Sequence, residues 1–129
     1  MLKNKNDLAV LVVDDVVQAR DLTRALLSHL GVYWVFTASD GREAREFLNR
    51  SGAMIDLIIC DWRMPRMSGL ELLIEVRDEY PDMPFMMVTG NSDMESVSAA
   101  ARHDVSAYIR KPYSPQQFKE KLMAVLDKL

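Results

Sequence analysis

Five short apolar runs, each separated from the next by a segment with helical apolar spacing, constrain this chain more than any other feature. The runs cover residues 8–13, 32–37, 56–60, 84–88 and 105–109. Each has strand length and is bounded by polar or turn residues. Between them the apolar spacing becomes helical: Ala19, Leu22, Leu26 and Leu30 in the first segment, Leu70, Leu73, Val76 and Tyr80 in the third, and Phe118, Leu122, Val125 and Leu129 in the last. Each set predicts one apolar helix face. Strand–helix alternation predicts a parallel sheet with helices on both faces. The first, third and fourth runs are the most continuously apolar and belong in the centre. The second, with Tyr33 and Trp34, and the fifth, with Ser106 and Tyr108, are mixed and belong at the edges. The fold class is therefore α/β, a doubly wound five-stranded parallel sheet in the order 2-1-3-4-5 with five helices.

The helix boundaries carry their own signals. Ser68-x-x-Glu71, Ser92-x-x-Glu95 and Ser114-x-x-Gln117 read as capping boxes. Asp15-x-x-Gln18 and Asp40-x-x-Glu43 are looser forms, so Asp15 reads as the N-cap of the first helix. Pro115 suits a first helical position. Gly31 and Gly52 follow the first two helices, where a left-handed cap favours glycine, and Pro81 ends the third.

With 129 residues and no linker, repeat or low-complexity stretch, one domain is expected over 1–129. A net charge of −3 offers no electrostatic footprint for nucleic acid or an acidic membrane. The polar start, the lack of a spanning apolar stretch and the single cysteine, Cys60, suit a soluble cytoplasmic protein. Cys60, Met86 and Met87 read as core filling, and Trp34 as packing or surface cover. Arg42, Arg45 and Arg50 with Glu43 and Glu46 read as a solvated helix face.

Open parallel sheets bind ligands beyond the carboxyl ends of their strands. Asp14 and Asp15 follow the first strand, Asp61 follows the third, Thr89 ends the fourth, and Lys111 lies just past the fifth. Two carboxylates about 5 Å apart repel by roughly 3 kcal/mol at an effective dielectric of about 20. Three together call for positive charge, part of it from Lys111 and the rest from a hard divalent cation held by oxygen ligands, Mg²⁺ or alternatively Mn²⁺. Asp61 is the candidate nucleophile, able to form an acyl phosphate. Such transfer depends on positioning and charge neutralisation. Asp14 and Asp15 would hold the metal, Lys111 would pair with one phosphoryl oxygen, and Thr89 would donate a hydrogen bond to another. Neither His29 nor His103 lies at a strand end.

Five motifs occur in order along the chain: VLVVDD (10–15), DWRMP (61–65), MSGLELL (67–73), VTGN (88–91) and AYIRKP (107–112). In this order and spacing the whole chain resembles a response-regulator receiver domain of two-component signal transduction, with its flavodoxin-like, chemotaxis-regulator-like fold. The resemblance implies that Asp61 is the phosphoacceptor, and that Asp14 and Asp15 are the metal-binding pair, with the backbone carbonyl of Arg63 a further ligand. It implies that Thr89 follows the phosphoryl group, that Tyr108 is the aromatic that turns inward on activation, and that Lys111 is the essential lysine, followed by a cis peptide to Pro112. It implies a phosphohistidine donor on a sensor histidine kinase or phosphotransfer protein. The expected output surface is made by the fourth helix, fifth strand and fifth helix and read by a downstream effector, and a phosphorylation-dependent dimer is compatible with it. A receiver catalyses only its own phosphorylation and dephosphorylation. Asp104 stands where many such domains have glycine, and a left-handed backbone there is within reach of Asp. Arg63 and Asn91 occupy positions that tune phosphoryl lifetime; Arg63 can reach the phosphoryl group or screen the attacking water.

Two other readings fit less well. A phosphatase using Asp61 in turnover usually needs a second acid two residues on, where this chain has Arg63. A flavodoxin-like cofactor binder needs a phosphate cradle, but the loop after the first strand is acidic and lacks glycine.

Overall fold

The computed structural model of the protein describes residues 4–90 and 94–129, with side chains absent from the description for 94–96 as well. Five strands alternate with five helices: β1 (Ala9–Val13), α1 (Val17–His29), β2 (Trp34–Ala38), α2 (Gly41–Ser51), β3 (Leu57–Asp61), α3 (Gly69–Glu79), β4 (Phe85–Thr89), α4 (Met94–Arg102), β5 (Ala107–Arg110) and α5 (Pro115–Leu126). Short 3₁₀ turns cover Lys5–Asp7 and Gly52–Met54. All strand pairs are parallel and the order is β2-β1-β3-β4-β5, as the run pattern predicts. Every strand begins one or two residues later than its apolar run and ends up to one residue later, because ladder bonds rather than hydrophobicity define the ends.

The period-2 alternation of the buried strands divides the core in two. Leu11, Val13, Ile58, Cys60, Phe85 and Met87 pack on one side with α2, α3 and Ala100 of α4. Val10, Val12, Leu57, Ile59, Met86 and Val88 pack on the other, against Leu27 of α1 and Phe118, Leu122 and Val125 of α5. Cys60 and both methionines are fully buried, as core fillers should be, whereas Trp34 is exposed on the edge strand.

The capping boxes of α3 and α5 form as read: Ser68 Oγ accepts from Glu71 N–H, Ser114 Oγ accepts from Gln117 N–H, and each partner side chain returns the bond. Asp40 caps α2 through Glu43 N–H at 2.8 Å. The Ser92-x-x-Glu95 box and Asn91 lie outside the described residues. Gly31 has φ 87, the left-handed cap expected after α1, and Asp104 is left-handed at φ 57. The Lys111–Pro112 peptide is cis.

Five local readings are overturned. Asp15 does not cap α1: the N-cap is Val16, without a side-chain bond, and its N–H is taken by Asp14 Oδ1 at 3.0 Å. Gly52 is right-handed (φ −60, ψ −33), because α2 passes directly into a 3₁₀ turn instead of reversing. The face of α1 is rotated: Thr23 and Leu27 are buried and Leu22 is 55% exposed. In α5 the apolar stripe closes on Leu126, leaving Leu129 outside. Arg45 is not on a solvated face. It reaches from α2 to α3, where Nε donates to Glu75 at 3.2 Å and Nη2 pairs with Glu79.

Candidate functional site

Strand register creates the site. Val13 is paired with Cys60, so the residues that follow, Asp14 and Asp61, leave adjacent strands side by side. Asp61 is paired in turn with Val88, which places Thr89 one step beyond it on β4. Carboxylate oxygens of Asp14, Asp15 and Asp61 all lie within 4.8 Å of one another. Asp14 is buried, Asp61 half-buried and Asp15 exposed. Lys111 Nζ stands 3.6 Å from Asp14 Oδ2. The spacing and signs match the charge cluster expected from the strand ends.

Asp14 is held on three sides. Its Oδ1 accepts from Val16 N–H, its backbone carbonyl accepts from Arg20 Nη1 at 2.6 Å, and its N–H donates to Ala38 O at 3.1 Å. Asp61 is pushed up to about 6. Burial is the main cause; the Lys111 charge works against it, Asp14 and Asp15 reinforce it, and the Trp62 N–H bond opposes it. Three carboxylates this close, with Lys111 as their neighbouring cation, leave room for further positive charge. The donors are all hard oxygens, which suits Mg²⁺. This is the one cluster of its kind among the described residues.

Thr89 is buried, and its carbonyl accepts from Lys111 N–H at 2.7 Å, which ties the turn carrying the lysine to β4. Arg63 is exposed in the loop after β3. Tyr108 is half-buried on β5 and packs towards the α2–α3–α4 core, outside the residues that line the cavity beside the acids. That cavity, of ≈ 550 Å³, is lined by Val12, Val13, Leu22, Val88, Pro112 and Tyr113 together with Asp14, Asp61 and Lys111.

Sequence reasoning missed Tyr113, which also lines the cavity. The Tyr113 ring stacks on Phe118 at 5.8 Å. Burial raises its phenol above the usual range, against a hydrogen bond with Thr23 and the Lys111 charge. An aromatic two residues after Lys111 and one before a capping box was the available signal. Cys60, directly before Asp61, has its thiol pushed well up by burial and by the charges of Asp61 and Asp14, which agrees with a packing role.

No helix among the described residues is long and apolar enough to cross a membrane. The sequence profile of the response regulator receiver domain matches residues 10–123. The chain is 42% identical over 119 residues to a chemotaxis protein CheY homolog of Campylobacter jejuni, covering 91% of each. Among solved structures it is similar to a response regulator receiver domain protein from Clostridium thermocellum, with TM-score 0.86, 27% identity and 94% and 95% of the two chains covered. It is also similar to the chemotaxis protein CheY4 of Vibrio cholerae, with TM-score 0.82, 32% identity and 92% and 98% covered. Profile, sequence and fold agree, and the chain belongs to the response regulator receiver domain family.

Proposed function

We propose that residues 1–129 form one receiver domain that works as a phosphorylation-dependent switch, with Asp61 as the phosphoacceptor. The observation that carries this reading is the convergence of Asp14, Asp15 and Asp61 within 4.8 Å, with Lys111 beside them. An Asp61 oxygen attacks phosphorus while the bond from phosphorus to the donor's histidine nitrogen breaks, leaving an acyl phosphate and a free imidazole. Asp14, Asp15, Asp61 and the Arg63 carbonyl would hold Mg²⁺, which supplies neutralising charge to the phosphoryl oxygens. Lys111 pairs with one of those oxygens, and the Thr89 hydroxyl turns to another.

Reorientation of Thr89, with Tyr108 following inward, shifts an inactive–active equilibrium on the α4-β5-α5 face. The partners are a sensor histidine kinase or histidine phosphotransfer protein upstream and an effector downstream, in the cytoplasm. The domain catalyses its own phosphorylation and dephosphorylation and no turnover of another substrate. Incubation with a small acyl-phosphate donor and Mg²⁺ is expected to add one phosphoryl group by intact mass. Uptake without Mg²⁺, or undiminished uptake in Asp61→Asn, overturns the reading.

A further inference from the structure

Arg66 lies in the loop between β3 and α3, with φ 66, a left-handed backbone that arginine adopts at a cost. Its guanidinium reaches back to Asp40, the N-cap of α2: Nε donates to Oδ2 at 2.8 Å and Nη2 pairs with the same oxygen. The Asp40 side chain is 3% exposed. Burial alone would raise its pKa, but the Glu43 N–H bond and the Arg66 bond and charge hold it below the ordinary carboxylate range. Asp40 is therefore a buried anion with both oxygens engaged, one by its own helix and one by the loop.

The position of that anion matters more than its strength. Asp40 lies two residues after Ala38, whose carbonyl accepts the N–H of Asp14. Segment 38–40 is thus bonded to the acidic pair after β1 through its backbone and to the loop after β3 through Asp40. Contact between the two segments is close: a Cβ on Gly41 would lie 2.6 Å from Met67 O. The loop's ends are already fixed, by Trp62 N–H to Val88 O at 2.8 Å and by Gly69 N–H to Trp62 O at 2.9 Å. Arg66 fastens its middle.

We infer that Arg66 is a positioning residue, its ion pair with Asp40 holding the β3–α3 loop at the distance from Asp14 that divalent-ion binding requires. This rests on the proposed metal chemistry of Asp14, Asp15 and Asp61. Arg66 does not touch the ion; it acts through the loop that carries Arg63. Groups that orient metal ligands usually affect affinity by one to two orders of magnitude when removed.

The test measures Mg²⁺ affinity by Trp62 fluorescence in a Trp34→Phe background, alongside thermal unfolding without Mg²⁺. Arg66→Gly removes the guanidinium and also relieves the left-handed backbone. Asp40→Asn removes the charge and keeps an acceptor for Glu43 N–H. Each is expected to weaken Mg²⁺ binding about tenfold, the double variant no more than either single one, and Arg66→Lys is expected to recover part of the loss. If Arg66 only fills a turn, Arg66→Gly leaves Mg²⁺ affinity at the parent value, and the inference falls while the metal reading stands. Additive losses in the double variant also overturn it. Failure of the parent protein itself to bind Mg²⁺ overturns both.

Discussion

The guanidinium of Arg77 donates from Nε and Nη2 to a single acceptor, the carbonyl oxygen of Asp104, at 3.1 and 2.8 Å. Its Nη1 donates to Met83 O at 2.6 Å and to Tyr80 O at 3.4 Å. One side chain on α3 thereby secures the turn before β4 and the left-handed turn before β5. Burial lowers its pKa, against the charges of Asp104 and Asp82, and it stays a cation. Arg77→Ala is expected to destabilise the protein by about 2–3 kcal/mol in urea unfolding, the cost of losing charge-assisted bonds to backbone carbonyls. Arg77→Lys should recover only part, because one ammonium cannot span the same acceptors. A loss within 0.5 kcal/mol, roughly that of an ordinary surface position, would contradict the role.

At Asp104 itself the backbone makes the bond and the side chain bears the left-handed φ of 57. Asp104→Val is expected to cost about 1–2 kcal/mol. Asp104→Gly should stay within about 0.5 kcal/mol of the parent, since relief in the folded chain is offset by entropy in the unfolded one.

The raised Asp61 gives a stability profile with a definite sign. The folded protein holds this proton up to about pH 6, whereas an unfolded aspartate releases it near its ordinary value of 3.8. Between those values the folded state binds more protons, so the contribution is present below the lower value and is lost as pH rises through the upper one. Asp61→Asn is therefore expected to stabilise the Mg²⁺-free protein at pH 7.5 by about 1–2 kcal/mol, after allowance for solvent screening of a half-exposed group. At pH 4 the gain should vanish. Mg²⁺ affinity of the parent should fall between pH 7 and 5 as protons compete for the same oxygen.

Lys111 holds Asp61 lower than burial alone would. Lys111→Met should move the Asp61 midpoint above 6 in a carboxyl NMR titration and slow phosphoryl uptake from a small donor. An unmoved midpoint would mean that the 3.6 Å approach to Asp14 leaves Asp61 unaffected.

Cys60 is fully buried and its thiol is strongly disfavoured as thiolate. Native protein should resist an aromatic disulfide reagent, with labelling appearing only as urea unfolds the chain. Fast labelling of folded protein would show that β3 opens locally.

Element order, strand order, two capping boxes and the acid–lysine set at the strand ends were legible because each rests on near neighbours or on a general rule of parallel sheets. Period, cap chemistry and chain direction suffice for them. The errors came where two local solutions compete. In α1, Leu22 and Leu27 lie on overlapping stripes, and only packing against the sheet and α5 selects Thr23 and Leu27 as the inner face. Asp14 and Asp15 compete for the N–H of Val16, and Asp14, held by its backbone to Ala38 of the neighbouring strand, takes it.

The amino-acid order by itself determined that five strands and five helices would alternate, and that three acids and a lysine would leave the sheet at one edge. Tertiary structure alone decided the register that sets Asp14 beside Asp61, the rise of the Asp61 pKa, the reach of Arg45 across to α3 and the pairing of Arg66 with Asp40. Each of these depends on groups 26 or more positions apart in the chain, and charge interactions and burial follow distance in space.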